Sequence, residues 1–202
     1  MNQKRALKQL RELKKLGSKL RLAAQGWHKP WQILISTMLS ARTRDTKTIA
    51  VSNVLYKKYP SLKKLAKSNI DNIKDIIKPI NYYKTKSKNV LNCSKILINE
   101  YNEKVPLDIE QLLKLPGVGR KTANIFLSQM GKQTIGVDTH VSFISQKLGW
   151  TKNKKPYKIE EDLKRLFPKK YWKQVNLILV RFGQTYSKNK KEEILKTIKK
   201  VI

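Results

Sequence analysis

Between two helical patterns the chain reads Leu115-Pro116-Gly117-Val118-Gly119, and no helix can run through it. Proline lacks the amide hydrogen that a helix interior uses, and two glycines around one apolar residue let the backbone turn sharply. Upstream, Asp108 and Gln111 form a capping box that opens a short helix ending at Leu115. Downstream, a helix runs from about Arg120 to Met130, with Gly131 placed as its stop. The segment therefore predicts two helices joined by a tight turn.

The same helical grammar recurs along the chain. Leu7, Leu10, Leu13 and Leu20 mark an amphipathic N-terminal helix, and Trp31, Leu34, Ile35 and Met38 fall at i, i+3, i+4, i+7 in a helix ending near Leu39 to Arg42. Asp45 is placed to cap a helix reaching about Tyr59 and Ser61 a short one, while Ser68 with Asp71 caps another that stops before Pro79. After a polar connection, Asn81 to Thr85, a helix carries Val90, Cys93, Leu97 and Tyr101 on one side, which makes Cys93 a buried, inert thiol. Asp138 is placed to cap a helix bearing Val141, Ile144 and Leu148. A helix from about Ile159 to Phe167 follows, then one with Trp172, Val175, Leu179 and Phe182, and a Lys-rich terminal helix from about Lys190. Strand alternation is almost absent, so the sequence predicts an all-α protein with short connections.

Composition narrows the function. The 202 residues carry 45 Lys+Arg against 14 Asp+Glu, a formal net charge of +31, which is costly self-repulsion unless a polyanion relieves it. Nucleic acid is the usual polyanion, although only eight of the 45 basic residues are Arg, a bias that an AT-rich genome also produces. One cysteine excludes a disulfide framework, a Cys-rich zinc site and a cluster held by four thiolates of this chain. The longest apolar stretches are far shorter than the roughly 20 residues of a bilayer span, which predicts a soluble protein. The basic N-terminus lacks the Ser and Arg enrichment of a transit peptide.

At the turn, amide N–H groups beside the positive end of the following helix favour a phosphate. Two capped helices joined in this way form a helix-hairpin-helix element, which grips a DNA backbone without reading bases. In the second helix Ala123, Phe126, Leu127 and Met130 form the core stripe, placing Lys121, Asn124 and Ser128 on the opposite side. Lys121 stands in the first turn, where the helix dipole disfavours a cation. That placement suits an amine nucleophile, and it equally suits a phosphate contact. Asp138 is fully explained as an N-cap; a carboxylate held by helix-start amides also stays ionised and could stabilise a developing sugar cation.

Leu115 to Asn124, followed by Val137-Asp138-Thr139-His140 and preceded by Leu39-Ser40-Ala41-Arg42-Thr43-Arg44-Asp45, resembles the endonuclease III branch of the helix-hairpin-helix DNA glycosylases from about Trp27 to Gly183. The resemblance implies a two-lobed all-α fold with a DNA cleft between the lobes: a six-helix barrel over 23–133, and a second lobe from 1–22 with 134–202. It implies a bifunctional glycosylase and abasic-site lyase that removes oxidised pyrimidines. Lys121 occupies the place of the family's catalytic lysine and Asp138 that of its catalytic aspartate. The hairpin residues Pro116, Gly117, Val118, Gly119 and Arg120 would bind the DNA backbone.

A base inside the duplex must be flipped out and the gap filled. Arg42 matches the position where bacterial relatives carry a gap-filling Gln, and Tyr82 the position of an apolar wedge; a phosphate contact and a packed loop aromatic are the alternatives. His140 reads as a phosphate ligand or a helix-start side chain. Many members end in four cysteines around an iron–sulfur cluster, whereas here Gly183 to Ser187 is followed by Lys188 to Ile202 without Cys. The expectation is that no cofactor is bound, and that Ile194, Leu195, Ile198 and Ile202 pack an amphipathic helix there. The implied partner is double-stranded DNA with a damaged base or abasic site, met by a monomer in the cytoplasm at the nucleoid. A same-fold glycosylase for uracil or mismatched thymine and a non-catalytic DNA-binding protein are the competing readings.

Overall fold

The computed structural model describes residues 1–201, which form twelve α-helices, one 3-10 turn and no strand. Ile202 lies outside the described residues. The described residues divide into two compact units, residues 21–130 and residues 1–20 with those from 131 onward.

The 21–130 unit contains α2 (Pro30–Ser40), α3 (Asp45–Lys58), α4 (Leu62–Ala66), α5 (Ile70–Ile77), α6 (Tyr83–Asn99), α7 (Ile109–Leu113) and α8 (Arg120–Gln129). Proline at the first position starts α2, where its missing N–H costs nothing. Beyond the predicted stripe of Trp31, Leu34, Ile35 and Met38, Ile33, Ser36, Thr37 and Leu39 are buried as well. α2 is thus enclosed on several sides, packing on α3, α6 and α8. Its buried hydroxyls are satisfied: Thr37 donates to the Ile33 carbonyl at 2.6 Å, and Ser36 shares a 2.7 Å hydrogen bond with the Tyr56 hydroxyl. Trp27 and Trp31 meet the Tyr56 ring edge-on at 4.9 and 5.2 Å. Cys93 is fully buried in this core, and burial pushes its thiol up to about 12.

In the other unit α1 (Gln3–Leu16) packs on α11 (Trp172–Thr185), which packs on α9 (Thr139–Leu148); α10 (Pro156–Leu166) lies on α9, and α12 (Lys188–Val201) on α9 and α1. Leu195 and Ile198 of α12 are buried, and Lys191 donates to the Gly183 carbonyl at 2.9 Å.

Several local expectations are corrected. Leu20 is not part of α1: Gly17 turns extended after Leu16, and Leu20 is exposed. Asp45 is the first residue of α3 rather than its cap, because its carboxylate accepts from the Ala23 amide at 2.9 Å. Asn69, not Ser68, caps α5 by accepting from Asp71 N–H, while Ser68 donates back to the Leu65 carbonyl. The Asn81–Thr85 connection is shorter than expected, since α6 begins at Tyr83, and Tyr101 lies beyond its end.

Candidate functional site

The hairpin is built as its residues require. Asp108 caps α7 by accepting from Gln111 N–H at 3.0 Å, and Val118 N–H donates to the Leu115 carbonyl at 3.1 Å to close the turn. Gly117 has φ +79°, and a Cβ there would lie 2.8 Å from Asn89 Nδ2 and 2.9 Å from Met38 Cε, so both conformation and space demand glycine. Gly119 is different: its φ is −91°, and a Cβ there would meet nothing within 4 Å beyond the adjoining backbone. Neither backbone conformation nor close contact among the described residues demands a glycine at that exposed position. Pro116 is half-buried, whereas the Val118 side chain turns into the core and its N–H closes the turn, so Val118 shapes the hairpin from inside.

α8 starts directly from Gly119 with Arg120 and Lys121 and carries no acidic residue in its first turn. Arg120 is exposed and Lys121 half-buried. Asn124 and Ser128, expected opposite the core, are instead buried. α8 packs against both α2 and α7, so more than one stripe of its surface is covered, and Lys121 alone of that trio keeps access to solvent.

Arg42 and Tyr82 form one structural element. Both backbones are left-handed, at φ +55° and +61°, a conformation unfavourable for residues with a Cβ. The Arg42 guanidinium donates to the Tyr82 hydroxyl at 2.9 Å and stands 5.6 Å from the ring centroid. Asn81 Nδ2 donates to the Arg42 carbonyl at 2.5 Å, and Asn81 N–H to Thr43 Oγ1 at 3.3 Å. Tyr82 is 60% exposed. The pair borders a cleft of about 340 Å³ whose lining includes Met38, Lys86, Asn89 and the hairpin residue Gly117.

Lys86 was missed by sequence reasoning. It is buried, and its ammonium donates to the carbonyls of Leu39 at 2.7 Å and Ala41 at 2.6 Å, with Thr43 Oγ1 at 3.4 Å. Burial pushes it down to about 8. The available signal was its register: Lys86, Val90, Cys93 and Leu97 share one stripe of α6, so a charge stands in an apolar row.

In the other unit Asp138 caps α9, its carboxylate accepting from Val141 N–H at 2.9 Å. The approach to it is fixed by buried Ile135 and Val137 and by Asn176, which donates to the Gly136 carbonyl at 2.5 Å. Two residues into α9, His140 is half-buried and its ring lies across α11 at Gly183, where an added Cβ would be 2.6 Å from His140 Cγ. Glycine at 183 is what lets the imidazole occupy that place.

Residues 35–169 match the model of the HhH-GPD superfamily base excision DNA repair proteins. The chain is 44% identical to endonuclease III of Thermotoga maritima over 79% of its own length and 75% of that protein. It is 36% identical to endonuclease III of Synechocystis, over 77% and 72%. A trapped endonuclease III–DNA covalent intermediate, an estranged-adenine complex, superposes with a TM-score of 0.85 at 30% identity, covering 92% of this chain and 88% of that one. With a family match over most of its length and relatives at this identity, the chain belongs to the HhH-GPD superfamily of base excision DNA repair proteins and is a DNA glycosylase of the endonuclease III type.

Proposed function

We propose that this glycosylase is bifunctional: it removes oxidised pyrimidines from duplex DNA and then cleaves the abasic strand through Lys121. The observation that carries the reading is a lysine at the second position of α8, directly after an unobstructed Gly119 and in a first turn without acids. A stability-minded helix start would hold Asp or Glu there. The similar endonuclease III was trapped as a covalent intermediate with DNA, which is the species an amine nucleophile forms.

In this reaction Lys121 Nζ, as the amine, attacks C1′. The glycosidic bond breaks, and its electron pair leaves with the base, which takes up a proton. The sugar ring opens as nitrogen loses its proton and O4′ gains one, giving the imine. Loss of the C2′ proton then expels the 3′ phosphate and nicks the strand on that side. Asp138 supplies the negative charge that stabilises the sugar as positive charge develops. Pro116 and Val118 shape the turn, and the amides of Gly117 and Gly119 with the Arg120 guanidinium hold the DNA backbone, Gly119 leaving room for a phosphate. Arg42 and Tyr82 fill the gap in the duplex, and His140 contacts a phosphate. The chemistry draws only on amine and carboxylate groups of the chain.

The test is borohydride trapping on duplex DNA with one thymine glycol and, separately, one abasic site. A covalent adduct with both, lost in Lys121→Ala, is the expected result. An adduct with the abasic site alone reassigns the lesion, and none with either leaves a monofunctional enzyme or a binding protein.

A further inference from the structure

The turn after α2 has no helix of its own, yet it presents Arg42 in a left-handed conformation that is strained for a residue with a Cβ and persists only where the surroundings hold it. The chain itself closes the turn, with Thr43 N–H donating to the Ser40 carbonyl at 3.0 Å and Ala41 N–H to the Met38 carbonyl at 3.4 Å, and side chains from α6 and the residues before it hold it from outside. On one side Asn81 binds the Arg42 carbonyl and Thr43; on the other, the Lys86 ammonium collects the Leu39 and Ala41 carbonyls. These carbonyls lie at the end of α2, where unpaired acceptors and the negative end of the helix dipole converge. A water or a following glycine would satisfy them equally well at an ordinary helix end. Here a charge is removed from solvent to do it, which is worthwhile only where the position of the turn matters.

The same α6 that carries Lys86 begins at Tyr83, next to left-handed Tyr82. One rigid helix therefore fixes Tyr82 at its start and, one turn on, fixes the backbone on both sides of Ala41 through Lys86. The Arg42–Tyr82 hydrogen bond is the product of that double attachment.

We infer that Lys86 is a positioning residue for base excision from duplex DNA, acting through Arg42 by clamping the Leu39 and Ala41 carbonyls so that Arg42 and Tyr82 enter the duplex as one rigid wedge. The inference rests on the proposed function, in which Arg42 and Tyr82 fill the gap. Lys86 stands in the cleft wall, but its ammonium is engaged by the two carbonyls, and through them it acts. Its loss lets the turn relax and the wedge part, which slows opening of a stacked duplex but not chemistry on a sugar that is already accessible.

The experiment compares wild type, Lys86→Met, Arg42→Ala and the double variant on two substrates: duplex DNA with a thymine glycol, and a single-stranded oligonucleotide with one abasic site. Single-turnover excision from the duplex should fall about 10²-fold in Lys86→Met, the scale of an ångström-level misplacement. Strand cleavage at the single-stranded abasic site should change no more than about threefold, which on the barrier is well under 1 kcal/mol. Adding Lys86→Met to Arg42→Ala should cost little more, since both act through one element. Equal losses on both substrates, independent losses in the double variant, or duplex excision unchanged in Lys86→Met would each overturn the assignment. If the Met variant does not fold by circular dichroism, Lys86→Gln, whose amide nitrogen ends one bond short of the lysine nitrogen and so cannot hold both carbonyls, must show the same split. Wild type inactive on both substrates would remove the underlying function, whereas active wild type with an indifferent Lys86 removes only this inference.

Discussion

The indole N–H of Trp150 donates to the side-chain oxygen of Gln9 at 2.7 Å, and both residues are buried. The bond ties α1 to the residue just beyond the Gly149 turn that ends α9, across 141 positions of sequence. Gln9→Met keeps the volume and leaves a buried donor unpaired, so it should cost about 1–3 kcal/mol. For a chain of this size that lowers Tm by about 2–4 °C per kcal/mol. Calorimetry of Gln9→Met, Trp150→Phe and the double variant should show less loss in the double than in the sum of the singles. Strict additivity would show that the bond contributes nothing beyond packing.

Gly117→Ala tests the turn. Alanine at φ +79° meets Asn89 and Met38 at under 3 Å, so the turn must shift to accept it. The strain alone is on the order of 1–3 kcal/mol, and the displaced turn also weakens DNA binding. Gly119→Ala makes the contrast: it has an ordinary φ and an open surrounding, so stability should barely change while DNA affinity falls. Urea unfolding beside a fluorescence anisotropy titration reads both. Equal stability loss at the two glycines would contradict the distinction.

Local grammar made much of this legible. The hairpin announces itself because Pro116, Gly117 and Gly119 act on the backbone at their own positions, and Asp138 because a cap bonds three residues away. What stayed hidden depends on partners distant in sequence. Asp45 looks like a cap until the Ala23 amide arrives, and Asn124 and Ser128 look outward until α2 and α7 cover more of α8 than one stripe. The family resemblance singled out Arg42 and Tyr82, but their left-handed pairing has no residue signature, since neither is a residue that favours positive φ. Lys86 was visible as a charge in an apolar row, yet its acceptors are carbonyls, which every residue has.

The burial of Lys86 sets a pH dependence of stability. Its folded pKa of about 8 lies below the ordinary 10.5, so between those values the unfolded chain binds more protons than the folded one. Stability conferred relative to Lys86→Met therefore rises as pH goes from about 8 toward 10.5 and is flat below. Comparing the two proteins removes the pH dependence that they share. Urea midpoints at steps across this window check it; a difference that shrinks with rising pH would show that the carbonyls raise the lysine's pKa rather than burial lowering it.

Asp138 has two separable duties, because its carboxylate is at once the α9 cap and the proposed charge beside the sugar. Asparagine caps a helix nearly as well as aspartate, since its side-chain oxygen can accept from Val141 N–H. Asp138→Asn should therefore move stability by only a few tenths of a kcal/mol, whereas Asp138→Ala should cost about 1 kcal/mol. Excision should separate the variants differently: both lose the negative charge, and both should fall by about 10²–10³-fold, the scale of one preorganised electrostatic contact. Because the lyase half begins from a sugar that has already lost its base, borohydride trapping of Asp138→Asn on abasic DNA should survive better than its excision of a lesion. Thermal unfolding, single-turnover excision and trapping on the same three proteins decide it. If activity follows stability, with Asn near wild type and Ala impaired, Asp138 is a cap and nothing more.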